Sequence, residues 1–382
     1  MKILYVTLSP IHFNTSATIR NRALMKGLNE LGHQIDLLTI EAPKNRQYLD
    51  SSFDDSYIQS ISYLPASSAY HAIKPKEASK SNLKSRLFKV LRFVYYKLTI
   101  HDYTITIAKK ANCSYLQSKD YDLVISSSDP KSSHVAVSKL IKSGLKHHRW
   151  IQFWGDPLTL DITNDVIYPR WLLKQMEKRI IVNADKVVYV SPFTYQRQKE
   201  LFNQFKSRLS FVPIPYLKPK NYDLSFNRYH FGYFGDYYAS IRNIQTFFTC
   251  ASSKGFSSVI AGNSDISIVL KGVSVLPRVS SAKVEELEAE SEVLVCVLNK
   301  KGTQLPGKIY HYAATNKPIV IVIDGEYSAK MIEYLQGFNR FMLVNNDADS
   351  ISTFMDQKPW LRQQFIPSSE LSPIEVAKQF LK

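Results

Sequence analysis

The sequence predicts an α/β protein built as two successive Rossmann-like domains, and three observations carry that expectation. The chain has 382 residues, too many for one ordinary core and suited to two domains of roughly 150–200 residues. Short β-branched runs alternate with helical segments throughout, the pattern of parallel sheets covered by helices on both faces. Near the middle, the connector "FVPIPYLKPKN" carries Pro213, Pro215 and Pro219. Residues before proline are pushed toward extended conformations, so this segment reads as a semi-rigid linker and domain boundary. The expected division is a first domain over 1–215, a second over 216–365 and a closing helix over 366–382.

Taken in order, "KILYVTL" opens as a buried strand. The helix "TSATIRNRALMKGLNELG" follows, with Ile19, Ala23, Leu24, Leu28 and Leu31 on one face. Gly32 caps it before the strand "HQIDLLTI". Further strands fall at 121–128 ("YDLVISSS"), 149–154 ("RWIQFW") and 185–191 ("DKVVYVS"), with a helix ending in "KQMEKRIIVNA" between the last two. Beyond the connector come "RYHFGYFG", a helix from about Ile241, "SSVIAGN", "GVSVLP", the helix "SAKVEELEAE", "EVLVCVLN" and then "GTQLPGKIYHYAATNKPIVIVID", Gly302 to Asp324. The final "SPIEVAKQFLK" is an amphipathic helix capped by Ser372, with Pro373 in its first position. Open α/β sheets of this kind bind ligands at the carboxyl ends of their strands, here in the cleft expected between the domains.

Composition narrows the class. A hydrophobic share of 45% with 12% aromatic residues is globular. No apolar run approaches the ~18 residues needed to span a bilayer, and the N-terminus has one lysine and too short an apolar stretch for a signal peptide. Cys113, Cys250 and Cys296 are far apart with no CxxC pair, so neither a disulfide framework nor a zinc site is suggested. A cytoplasmic soluble protein is the expectation. Lys and Arg total 49 against 33 Asp and Glu, a net charge of +16, which favours an anionic partner: nucleic acid, membrane surface or phosphorylated ligand.

Part of that charge is local. Residues 74–110 hold ten Lys/Arg and two acids. On a helical wheel Leu83, Leu87, Val90, Leu91, Val94 and Tyr95 share one arc, and Arg86, Lys89, Arg92 and Lys97 fall opposite. This is the pattern of an interfacial helix on anionic lipid, and equally of a core-packing helix with a solvated basic face. A nucleic-acid partner would need stacking platforms or a recognised module, and neither is present.

The residues that carry chemistry lie mostly after the connector. Gln304, Leu305, Pro306 and Gly307 place backbone N–H groups at a loop-to-helix junction, Gly307 allows close approach without a Cβ, and Lys308 adds a point charge. Such an arrangement suits an anion; its bland counterpart is a Pro-Gly loop before a buried helix. In "FGYFGDYYASIRN", Gly235 ends a strand and Arg242 begins the next helix. In the first half, Asp129 is placed as a helix N-cap with Pro130 at the first helical position, and Asp156 stands at the carboxyl edge of a strand. His12 and His134 fall in loops or first turns facing the expected cleft, whereas His147 and His148 have no metal partner at useful spacing.

The N-terminal block ending "LNELGHQIDLLTI", the segment "YFGDYYASIRN" (233–243) and "LPGKIYHYAATNKPIVIVID" together resemble the retaining GT-B glycosyltransferases of the large family 4. The resemblance covers most of the chain. Its most specific part is the last segment, where members often carry a PGK-I-Y-E-Y-hydrophobic-A-x-G-K-P-I run. It implies two Rossmann-like domains facing each other across a cleft, and transfer of a sugar from a nucleotide diphosphate sugar, UDP- or GDP-linked. It also implies no metal or cofactor, the departing diphosphate being stabilised by protein cations and helix dipoles. The donor set so implied is Gly235, Arg242, Gln304, Leu305, Pro306, Gly307, Lys308 and His311, with Arg242 and Lys308 on the diphosphate. Asp156 would line the acceptor side with His12 and Asp129, and Asp156 and His134 complete the catalytic candidates; Asp156 would be the base of an inverting enzyme. Family enzymes with lipid-linked acceptors carry a basic apolar surface on this domain, which implies Arg86, Lys89 and Arg92 facing an anionic membrane and a polyprenyl-diphosphate-linked glycan as acceptor in polysaccharide synthesis.

Two features depart from that pattern. The family's Glu-x7-Glu pair is Thr303 and His311 here, and Asn316 stands where a glycine usually ends the helix. A histidine can still hydrogen-bond a ribose, and asparagine tolerates the left-handed conformation. A nucleotide-sugar epimerase on the same fold, or a non-catalytic nucleotide or membrane-surface binding protein, stand as alternatives.

Overall fold

Continuous apolar runs such as Ile319–Ile323, buried along its whole length, are what strands covered on both faces require, and the fold is built from them. The computed structural model describes residues 1–42, 49–50, 53–66, 70, 97–100, 102–162 and 166–382. The chain forms two units, Met1–Pro213 with Ala377–Lys382, and Ile214–Val376. The boundary falls inside the proline-spaced connector.

In the first unit, β1 (Lys2–Val6) is flanked by β2 (Gln34–Ile40) and β4 (Asp120–Ser127), all parallel. β3 (Ser60–Leu64) extends the β2 side, and β5 (Lys146–Trp154), β6 (Lys186–Tyr189) and β7 (Leu209–Phe211) extend the other, giving the order β3-β2-β1-β4-β5-β6-β7. The first helix, Ser16–Glu30, starts from Thr15, whose hydroxyl accepts from the Thr18 N–H at 3.2 Å. Gly32, at φ 82°, makes the left-handed exit into β2. β3, β7 and the helix Pro192–Leu201 add to the elements read from the sequence. The core gathers Trp150, Trp154, Tyr121 and Tyr189 against the aliphatic strand residues.

The second unit repeats this plan. β8 (Tyr229–Phe234), β9 (Ser258–Ala261), β10 (Val273–Leu276), β11 (Ser291–Val297), β12 (Ile319–Ile323) and β13 (Met342–Asn345) lie in the order β10-β9-β8-β11-β12-β13, again all parallel. In both sheets the first strand of the unit sits inside and strand order reverses beside it. That reversal is the switch point at which open α/β sheets receive ligands. Phe231, Phe247, Phe248 and Trp360 fill the core of this unit.

Three expectations are corrected. Residues 366–382 are not a separate segment. The chain to Val376 belongs to the second unit, and Ala377–Lys382 to the first. There the Lys186 ammonium donates to the Phe380 carbonyl at 2.9 Å, Arg149 to the Leu381 carbonyl at 3.2 Å, and Phe380 packs edge-on against Phe153. Cations on the otherwise unpaired C-terminal carbonyls explain the docking. Asn316 is not left-handed; its side-chain amide instead accepts from and donates to the Tyr222 backbone, both at 2.9 Å, tying the connector to the unit. The helix expected from Ile241 begins at Gln245. Arg86, Lys89 and Arg92, with most of the basic segment, lie outside the described residues, and no described helix is long and apolar enough to cross a membrane.

The loops after β8 and β9 touch backbone to backbone. A Cβ on Gly262 would lie 2.0 Å from the Gly235 carbonyl oxygen, a clash no rotamer relieves. Gly262→Ala is expected to destabilise the protein by about 1–3 kcal/mol, as overpacking does, read as a lowered urea midpoint. An unchanged midpoint would show that these loops yield freely.

Candidate functional site

At the switch point of the second unit, the lysine that follows the Pro-Gly turn reaches back over the end of β8. A Cβ on Gly235 would lie 2.3 Å from Lys308 Cε, so glycine there is a condition for the lysine's path. The ammonium passes 5.8 Å from the Tyr312 ring centroid and, among the described residues, makes no hydrogen bond or ion pair. Burial lowers its pKa to about 8; Glu288 and Cys296 oppose the shift, and Arg242 and Arg278 add to it. A half-buried cation with no ion pair is stabilised by an anionic ligand.

Arg242 is placed differently from the sequence expectation. It precedes the helix Gln245–Ser253 instead of starting it, and lies in the loop after β8. Its Nε donates to Asn299 Oδ1 at 2.9 Å and its Nη1 to the Asp236 carbonyl at 2.9 Å. Asn299, just past β11, donates in turn to the Gln304 carbonyl at 3.1 Å. One chain of hydrogen bonds thus joins the loops after β8 and β11 to the Pro-Gly turn and fixes the arginine's plane. Arg278, absent from the sequence reading, adds a further cation 3.4 Å from Asp236.

The helix behind the turn is only Lys308–Tyr312. A single turn has little macrodipole, so the expected helix-dipole contribution gives way to side-chain cations. His311 stays neutral: burial, then Lys308 and Lys220, lower its pKa to about 3. Its Nε2 and the Gln304 Oε1 are both buried with no hydrogen-bond partner, two polar atoms on one loop-helix segment that a ligand could satisfy. The nearby carboxylate is Glu288, already bonded to Lys220 at 3.0 Å and the Tyr222 hydroxyl at 2.7 Å. Leu305 and Pro306 are buried beneath the turn.

In the first unit the structure assembles Asp129 and Asp156 with three residues the sequence reading left out, Arg20, Lys131 and Asp161. Lys131 bridges Asp129 at 2.9 Å and Asp161 at 3.1 Å. Burial lowers its pKa, but Asp129, Asp161 and Asp156 outweigh that and raise it, so it stays charged. Asp156 follows β5, and burial, with Asp129 and Asp161 adding and Lys131 and Arg20 opposing, pushes its carboxyl up to about 7. A carboxylate near neutrality suits proton transfer.

Three assignments in this unit change. Asp129 does not cap the helix Ser132–Lys142; Asp102 does, accepting the Ser132 N–H at 3.0 Å. His134 does lie in the first turn of that helix, but its side chain is turned inward. It is fully buried, stacked on Trp154 at 4.4 Å, with Nδ1 2.8 Å from Ser126 Oγ. Burial, Lys131 and Arg20 hold it far below the usual imidazole range, so it is a core residue. His12 packs edge-on against Phe53, and its charged neighbours are Arg22, Asp55 and Asp50 instead of Asp129 or Asp156. Among the described residues no group of His, Cys, Asp and Glu side chains could hold a metal ion.

No family model matches the chain, and no curated protein matches its sequence. Solved structures do. The catalytic domain of starch synthase IV from Arabidopsis thaliana, bound to ADP and acarbose, superposes with a TM-score of 0.57 at 10% identity over 100% of this chain and 97% of that one. Sucrose-phosphate synthase from Thermosynechococcus elongatus gives 0.53 at 14% identity, covering 100% and 95%. An α-glucosyltransferase in complex with UDP and a 13-mer DNA gives 0.52 at 12% identity, covering 100% and 95%. At these identities the likeness is one of fold, and the fold is that of the GT-B glycosyltransferases.

The geometry around Lys308 predicts its titration. In competitive acylation of the native protein, its reactivity should reach half-maximum near pH 8, whereas exposed lysines do so near ~10.4. A midpoint above 10 would contradict the half-buried, unpaired ammonium.

Proposed function

We propose that the chain is a glycosyltransferase moving a sugar from a UDP- or GDP-linked donor to a glycan or lipid-linked acceptor, with retention and without a metal. The observation that carries this is Lys308, a half-buried ammonium with no ion pair, lying over Gly235 at a sheet switch point. The second unit takes the donor and the first the acceptor. As the bond from the anomeric carbon to the diphosphate breaks, negative charge grows on the departing oxygen. Lys308 and the pre-fixed Arg242 meet that charge, and fixed cations in a dry site are worth more there than in water. Neutral His311 offers a ring nitrogen to a ribose hydroxyl in place of glutamate. ADP and UDP in the neighbouring structures support a nucleotide site on this fold.

Asp156 orients the acceptor hydroxyl. One observation favours a second outcome, inversion: a carboxyl pushed up to about 7 can take the hydroxyl proton as the oxygen attacks. The net charge of +16 and the amphipathic pattern around Arg86, Lys89 and Arg92 support work at an anionic membrane surface in polysaccharide synthesis, at the cytoplasmic face.

Lys308→Ala and Arg242→Ala should each lower kcat/KM for transfer by about 100-fold or more; near-normal turnover in both would refute the donor assignment. The anomer of the product, read by proton NMR, decides the stereochemistry. An inverted product lost with Asp156→Asn establishes the base, and a retained one removes it. Replacing Arg86, Lys89 and Arg92 with glutamate should abolish sedimentation with phosphatidylserine vesicles, and unchanged sedimentation removes the membrane role.

A further inference from the structure

Two arginines two residues apart on the first helix are both buried, and they are treated in opposite ways. Arg22 is saturated: its guanidinium donates to the Ile11 carbonyl, pairs with Asp50 at 2.6 Å and lies over the Phe53 ring. Arg20, with 4% exposure, has no hydrogen-bond partner at Nε or Nη2. Its guanidinium carbon sits 4.9 Å from the Phe153 ring centroid. On the other edge, Nη1 occupies the space a Cβ on Gly155 would need, at 2.3 Å. Gly155 therefore makes room for the group directly beside Asp156.

The unpartnered atoms share one edge of the planar guanidinium, the fork that grips two oxygens of one oxyanion. Water or a hydroxyl would satisfy one donor of that fork; a phosphate or carboxylate satisfies both and neutralises the charge. The neighbouring acids attract the guanidinium but do not fill the fork: Asp129 is engaged by Lys131, and neither Nε nor Nη2 has a hydrogen-bond partner. A buried cation with an empty fork is costly unless its counter-ion arrives with the ligand.

We propose that the first unit binds an acidic sugar, and that Arg20 recognises its phosphate or carboxylate while Asp156 holds a hydroxyl of the same molecule. This rests on the acceptor role given to Asp156 above. The substrate class is thereby narrowed from any glycan to one carrying an oxyanion close to the hydroxyl that is glycosylated.

The test is calorimetry on the full chain, saturated with UDP, titrated with glucose 6-phosphate, glucuronate and glucose. At least one anionic sugar should bind about tenfold or more tightly than glucose, and Arg20→Gln should erase about 10- to 100-fold of that affinity. Preference for the sugar phosphate or the uronate identifies the oxyanion. Equal binding of all three sugars by the wild type overturns the proposal, as does an unchanged preference in Arg20→Gln. A wild-type thermal melt and far-ultraviolet circular dichroism spectrum report that the variant is folded in both units. Should Arg20→Gln not fold, Arg20→Lys keeps the charge and loses the fork, and must still weaken the anionic sugar; the wild-type comparison decides independently. Failure of UDP to bind, with Arg20-dependent binding of the anionic sugar intact, would overturn the donor reading and leave this one standing.

Discussion

Everything proposed for this protein depends on the cost of shielding a cation from water without pairing it. The half-buried Lys308 is partly in that state: burial lowers its pKa to about 8, and two arginines add to the shift. Such a group is tolerated where the surrounding backbone over-determines it. Gly235 and Gly262 allow three stretches of chain to meet where side chains would collide, and Arg242, Asn299 and the Gln304 carbonyl lock them together. An anion arriving beside the unpaired charge meets groups already in place, which is how a preorganised site gains ligand affinity.

The two units solve the same problem on the same sheet plan. In each, strand order reverses beside the first strand, and a basic side chain at least half-buried comes to the carboxyl end of that sheet. In the second unit it is a lysine reaching over a glycine after β8. In the first it is an arginine on the opening helix reaching a glycine after β5. The surroundings differ: the second unit adds further cations and a neutral imidazole, the first adds carboxylates. A field of cations suits a diphosphate; carboxylates next to one open guanidinium fork suit a hydroxyl-rich molecule with a single anionic group.

Much of this was readable from the sequence, for physical reasons. The long buried strands announce themselves as β-branched runs, and the connector by its prolines. Residues at Pro306–Lys308 were visible because Pro-Gly-Lys has few purposes at a loop-to-helix junction. What escaped detection lacks a local signal. β3 is a half-buried edge strand and β7 has three residues. Arg20, Asn21 and Arg22 carry no local sign of burial, yet all three are buried, because Gly155, Ser127 and Asp50, all distant in sequence, meet them. His134 looks like any first-turn histidine until Trp154 and Ser126 enclose it. Asp161 and Lys131 gain meaning only once β4 and β5 lie side by side.

The central claim is that the junction at Lys308 receives a nucleoside diphosphate. The most direct measurement is isothermal titration of the protein with UDP, GDP and their parent nucleosides at low and high salt. The account predicts that one diphosphate binds, that its affinity falls as salt rises, and that uridine and guanosine bind at least about 100-fold more weakly, since the cations carry the interaction. Nucleosides binding as well as their diphosphates, or salt-independent binding, would contradict it.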